Sequence, residues 1–233
     1  MKFAYLLPTT LTDYPGMIAA LAYTAACNFR CPFCHNSELV LPKQSKRLNL
    51  LPEKEVLYFL RERQGFLDGL VITGGEPTLH HDLPEFIARV KRLGLLVKLD
   101  TNGSRPEMLD DLLRAHLIDY VAMDVKCSPA RYDELTGVHV DMEAIERSIA
   151  LIIARAPDYE FRTTVAPTMS EADIKGLVPL LSGAKRYFLQ QFVVPSDKEL
   201  VDPGWRDRAA LSERELLAVW AKIEHAFPEG GVR

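Results

Sequence analysis

Three of the chain's four cysteines, Cys27, Cys31 and Cys34, share one short stretch in the spacing C-x3-C-x2-C. An odd set of thiols cannot close into disulfides. Sulfurs three and four residues apart on a compact loop can converge on one centre, and soft thiolates suit an iron–sulfur cluster. A four-iron cubane held by three cysteines keeps one iron without a protein ligand, the property that separates open catalytic metal sites from closed structural ones. A zinc site completed by His35 or Cys127 is the competing reading of the same residues. His35 directly follows Cys34, which makes it an awkward fourth ligand. Cys127 stands far along the chain, where a lone cysteine reads as a small buried hydrophobe.

Four further stretches carry polar groups where apolar runs end. Gly74-Gly75-Glu76-Pro77 closes the run Leu70 to Thr73, and its two glycines permit close backbone approach or a positive φ. Asp100-Thr101-Asn102-Gly103 reads either as a cluster of acceptors or as an ordinary turn. Asp124-Val125-Lys126 places a lysine just past another run, and Gln190-Gln191 lies near the end of the last one. Arg162 lies inside the apolar run Tyr159 to Val165, where a charge needs a partner.

The elements that position these residues alternate strand with helix, six times. The expected strands are 18–24, 70–73, 95–100, 120–124, 159–165 and 186–194. Helices are expected from Pro52, from Asp82 with Glu85, from Ser104 with Glu107, across Ile145, Ile149 and Ile152, from Ser170 to Leu181, and from Ser212 with Glu215. Such alternation with short links means a parallel sheet. Six units are too few to close an eight-stranded barrel, so an α/β fold built as an open (β/α)6 partial barrel is expected. Active sites on such folds lie at the C-terminal strand ends, where every motif above falls. The whole chain, 1–233, reads as one domain, with 1–17 as an N-terminal extension and 228–233 as a frayed tail.

Composition narrows the function class. A formal charge of −4 and a pI near 5.9 give no basic footprint for nucleic acid. No apolar run approaches the roughly 18 residues of a membrane span. Clustered cysteines point to reduced thiols and a cytoplasmic setting.

The cysteine spacing, with Phe33 just before the last cysteine, together with Gly74-Gly75-Glu76-Pro77, resembles the radical S-adenosylmethionine (SAM) superfamily. The run Asp13-Tyr14-Pro15-Gly16 followed by Cys27 through Asn36 looks like the activating enzymes of glycyl-radical enzymes, most of all the activators of anaerobic ribonucleoside-triphosphate reductase. The resemblance implies the radical SAM type of partial barrel, with Cys27, Cys31 and Cys34 holding a [4Fe–4S] cluster and SAM on its open iron. It implies SAM contacts at Gly74, Gly75, Glu76 and Pro77, with Glu76 accepting from the methionine ammonium, and at Asp100 and Asn102 for ribose or ammonium. Lys126 would meet the SAM carboxylate, Arg162 a carboxylate of SAM or Glu76, and Phe33 the adenine. Gln191 stands where pyruvate formate-lyase activating relatives place a histidine, so its contact would be neutral. No catalytic side chain beyond the cluster and SAM is implied. The implied partners are a glycyl-radical enzyme, the anaerobic ribonucleotide reductase foremost, and a flavodoxin or ferredoxin electron donor. Lys43, Lys46 and Arg47 read as a solvated face or a docking site for that donor. The rival readings are a radical SAM enzyme acting on a small molecule, in the manner of 7-carboxy-7-deazaguanine synthase, and a zinc-stabilised binding module.

Overall fold

A computed structural model describes all residues, 1–233. One nine-stranded sheet runs through it. The strands are β1 (Lys2–Thr10), β2 (Ala19–Thr24), β3 (Leu51–Pro52), β4 (Gly69–Gly74), β5 (Leu96–Thr101), β6 (Tyr120–Asp124), β7 (Tyr159–Val165), β8 (Arg186–Gln191) and β9 (Glu229–Val232), in the spatial order β3-β1-β2-β4-β5-β6-β7-β8-β9. From β2 to β9 every neighbour pair is parallel; β1 is antiparallel to β2 and to β3. The sheet does not close on itself, and its six central βα units form an open partial barrel.

Alternate residues of each strand face opposite sides. Ala20, Ala22, Leu70, Ile72, Val121 and Met123 face the helices and belong to the large core. Their neighbours Ala19, Leu21, Val71, Tyr120 and Ala122 face the other way and pack with Tyr14 into a separate plug. The Tyr14 and Tyr120 rings lie 5.9 Å apart there. The Asp13-Tyr14-Pro15-Gly16 run therefore shapes the end of the barrel opposite the cysteines, and Gly16 takes a φ of +74° in its turn.

Helix starts divide between two causes. Ser170 with Asp173, and Ser212 with Glu215, form capping boxes. Asp82 instead pairs with the N-terminal ammonium at 2.6 Å. Ser104 caps nothing, because its hydroxyl and backbone N–H bond Asn28 and Asn102. The Ser170 helix stops at Lys175, and a separate turn, Leu177–Leu180, follows Gly176. No helix is long and apolar enough to cross a membrane.

The ends of the chain correct two expectations. Residues 1–17 are part of the sheet, since β1 pairs with both β2 and β3. The tail 228–233 is not frayed: β9 pairs in parallel with β8. A Pro-Glu-Gly-Gly stretch carries no strand pattern, yet the missing side chain at Gly230 lets it lie against Tyr187 and Trp220. A Cβ there would stand 2.1 Å from the Tyr187 carbonyl oxygen and 2.4 Å from the Trp220 ring. Beyond it, the Arg233 guanidinium lies 3.4 Å from the centre of the Phe188 ring and pairs with buried Glu160 at 3.0 Å. Gly230→Val should cost about 1–3 kcal/mol through overpacking, lowering the thermal midpoint by roughly 2–4 °C per kcal/mol. Gly231→Ala, which meets nothing within 4 Å, should leave it unchanged, as followed by circular dichroism.

Candidate active site at the C-terminal ends of the strands

The loop after β2 carries Cys27, Cys31 and Cys34 and is fixed from four sides. Gly75 N–H donates to Thr24 O at 2.9 Å and Glu76 N–H to Ala26 O at 2.8 Å, so the loop after β4 is stitched to it. A Cβ on Gly75 would sit 1.8 Å from the Ala26 oxygen, and one on Gly74, at φ +116°, 2.5 Å from Thr24. The two glycines thus serve main-chain contact between the loops. Arg30 Nη1 donates to the carbonyls of Cys27 and Phe29 at 2.5 and 2.6 Å, and a His80 ring nitrogen meets Ala25 O at 3.0 Å. On the far side the segment after β8 straps the loop. Val201 N–H donates to Cys34 O and Asp202 N–H to Pro32 O, while Phe33 packs against Phe192 and Trp205 at 6.4 and 6.2 Å.

All three cysteines line one cavity of about 400 Å³, with Phe33, Thr73, Gly74, Gly75, Glu76, Asp100, Asn102, Asp124, Lys126, Gln190 and Gln191 also on its wall. That volume suits a ligand the size of SAM. Pro77 is buried behind it at the start of a short 3-10 turn and does not reach the cavity. Burial pushes the Cys27 thiol up to about 11 and the Cys31 thiol up to about 12. No three His, Cys, Asp or Glu side chains converge as around a single ion. Three sulfurs that each take a different iron need no such convergence, so the donor set fits a cluster better than a zinc cage. Cys127 is fully buried in the main core, away from the cavity, and His35 is exposed at its rim.

Geometry narrows one expected contact and corrects another. Glu76 is 1 % exposed and heavily engaged by its own chain. Its Oε1 accepts from Thr78 N at 3.1 Å, from the Thr78 hydroxyl and from the Thr101 hydroxyl at 2.7 Å; its Oε2 accepts from Asn102 N at 2.7 Å. It joins the β4 and β5 loops, and Oε2, with a single donor, keeps a lone pair on the cavity side. Burial pushes its carboxyl up, against the pull of those hydrogen bonds. Arg162 does not meet Glu76 and is not itself on the cavity wall; it sits behind two carboxylates that are. Paired in register with Asp124, it donates from Nε to Asp124 at 2.9 Å and lies 3.4 Å from Asp100 and 3.8 Å from Glu160.

Arg162 is therefore the hub of an ion-pair chain on the inner strand face. Asp100 also takes Lys98, itself 1 % exposed, at 2.5 Å and the Thr73 hydroxyl at 3.2 Å. Lys126 pairs with Asp124 at 3.2 Å. Burial opposes charge on Lys126, but Asp124 outweighs it and holds the ammonium form. Asn102 turns to the cysteine loop, giving its amide to Asn28 Oδ1 at 2.9 Å. His80 and Trp205 carry no motif, the roles of Asn28 and Arg30 inside the cysteine run have no sequence signal, and Ser104, expected as a helix cap, serves this site instead.

Asp124 gives a pH test. Burial raises its carboxyl, yet Arg162 and Lys126 overcome this and hold it at about 2, below the ordinary 3.8. A depressed carboxylate contributes its stability in full above about pH 4 and loses it as the pH falls toward 2. Asp124→Asn should therefore be less stable by about 2 kcal/mol at pH 7, with the gap to wild type closing below about pH 3, in denaturant melts across pH.

Residues 21–181 match the family model of the radical SAM superfamily. The chain is 36% identical over 210 residues to a protein of Methanocaldococcus jannaschii named "Putative glycyl-radical enzyme activating enzyme", covering 88% of this chain and 84% of that one. A "Probable GTP 3',8-cyclase" of Thermococcus kodakarensis is 30% identical over 161 residues, 68% of this chain and 50% of that one. A PqqA peptide cyclase of Xanthomonas axonopodis is 26% identical over 94% of this chain and 58% of its own. The chain thus spans about half the length of these cyclases. Among solved structures, Streptococcus suis SuiB bound to its precursor peptide SuiA superposes with a TM-score of 0.71 at 14% identity, over 91% of this chain and 48% of that one. A domain of the pyruvate-formate lyase-activating enzyme of Bacteroides vulgatus gives 0.53 at 18%, over 71% and 98%. These two likenesses speak for the fold alone. The chain belongs to the radical SAM superfamily and is an enzyme that works with S-adenosylmethionine and a [4Fe–4S] cluster.

Proposed function

We propose that this enzyme activates a glycyl-radical enzyme by abstracting a glycine Cα hydrogen from the partner protein, with anaerobic ribonucleoside-triphosphate reductase as the candidate partner. The observation that carries the reading is the 36% identity to the archaeal activating enzyme over most of both chains. Cys27, Cys31 and Cys34 are the proposed cluster ligands. Bound together, cluster and SAM supply a 5′-deoxyadenosyl radical on one-electron reduction.

The chain's own residues bind, orient and exclude water. Glu76 Oε2, the main chain of Gly74 and Gly75 and the Thr73 hydroxyl are the polar groups at that edge for the SAM ammonium. Lys126 offers a cation to the SAM carboxylate, anchored by Asp124 so that it cannot swing away. Asp100 keeps lone pairs for ribose hydroxyls beyond those given to Lys98 and Thr73. Phe33 forms an apolar wall backed by Phe192 and Trp205, and Gln191 offers a neutral contact on the same cavity. A second groove, lined by Tyr5, Leu7, Tyr23 and Pro195, meets the cavity through His35 and Asn36. A groove of that kind suits a peptide loop better than an enclosed small molecule. A flavodoxin or ferredoxin is the proposed electron donor.

The decisive experiment mixes anaerobically reconstituted protein, SAM and dithionite with candidate partners and looks for a glycyl doublet by electron paramagnetic resonance. A doublet on one partner, absent without SAM, is expected. SAM cleavage stimulated by a small molecule and by no partner protein would overturn the activase reading. Cys31→Ala should abolish 5′-deoxyadenosine formation and strip the brown colour, while colourless wild-type protein carrying stoichiometric zinc would contradict the cluster assignment.

A further inference from the structure

Asn102 stands beside Cys27 in an orientation its neighbours dictate. Its Oδ1 accepts from the Ser104 backbone N–H at 3.0 Å, so Nδ2 is the atom turned to the cysteine loop. Nδ2 donates to Asn28 Oδ1 at 2.9 Å and also stands within hydrogen-bond reach of Cys27 Sγ, 3.9 Å away. Asn28 closes the ring by donating from its own Nδ2 to Ser104 Oγ at 2.8 Å. The Asn102 main chain is pinned in turn by Glu76 Oε2. The residue is 6 % exposed, so water does not compete for the amide. Of the three cavity cysteines, Cys27 alone receives a side-chain donor, besides the Phe29 backbone N–H at 3.4 Å.

We propose that Asn102 is a redox-tuning and positioning residue, whose amide N–H on the Cys27 sulfur raises the reduction potential of the cluster. The inference rests on Cys27 being a cluster ligand. A donor dipole on a ligating sulfur favours the form with one electron more, because that form carries the greater negative charge. The effect is strongest where burial keeps the local dielectric low. A neutral amide supplies it without a new charge, and the Asn28–Ser104 ring holds the dipole in line, as partners behind a ligand commonly do. A purely structural Asn102 would bind the two loops together and leave the potential alone.

The test is a mediated dithionite titration of the full chain, reconstituted anaerobically and followed by electron paramagnetic resonance, on preparations of equal iron content. In Asn102→Ala the ratio of reduced to oxidised cluster at a fixed donor potential should fall about tenfold, which for one electron is about 59 mV. Asn28→Ala, which keeps the donor and removes its orienting acceptor together with the bond to Ser104, should shift the ratio in the same direction by less, and it carries the test if Asn102→Ala fails to fold. Unchanged ratios in folded, iron-loaded variants would overturn the inference. Wild-type protein that binds no cluster would instead overturn the reading of the cysteine loop beneath it.

Discussion

The site depends on two main chains running closer together than side chains allow. The loops after β2 and β4 share two backbone hydrogen bonds across a gap that a Cβ on Gly75 would close to 1.8 Å. Glycine is usually credited with making room for a ligand; at this point it makes room for the cysteine loop itself. Once the loops are joined, Arg30 and His80 use up carbonyls that would otherwise face a poorly solvated wall. The strap after β8 then seals the opposite side through Phe33 and Trp205. The three thiols thus belong to a frame in which each turn is held by a neighbour.

Below that frame the barrel interior is charged where most barrels are apolar. Lys98, Lys126, Arg162 and Arg233 alternate with Asp100, Asp124 and Glu160. Charges removed from water persist only when paired and hydrogen-bonded, and removal of one partner strands the other. This explains why Arg162 faces carboxylates of its own chain. It also explains why Lys126 can present an ammonium to the cavity without drifting, since Asp124 beside it is shared with Arg162.

The fold was legible in the sequence because its signals are local. Six apolar runs, each ending in a polar turn, place six strands, and the cysteine spacing names its own loop. What escaped reading depends on register, which no local pattern encodes. Arg162 meets Asp124 because β6 and β7 pair those residues side by side. Glu76 is tied to the next loop because Thr101 and Asn102, a strand away, come within reach of its oxygens. Ser104 looked like a helix cap, but a nearby asparagine offered its hydroxyl a better use. The tail looked frayed because glycines hide the strand that they permit.

The burial of the cysteines has a consequence for how the protein is loaded. Burial disfavours the charged thiolate at Cys27 and Cys31. A sulfur ligand must be a thiolate, so metal loading on these residues would release protons and would be opposed by acid.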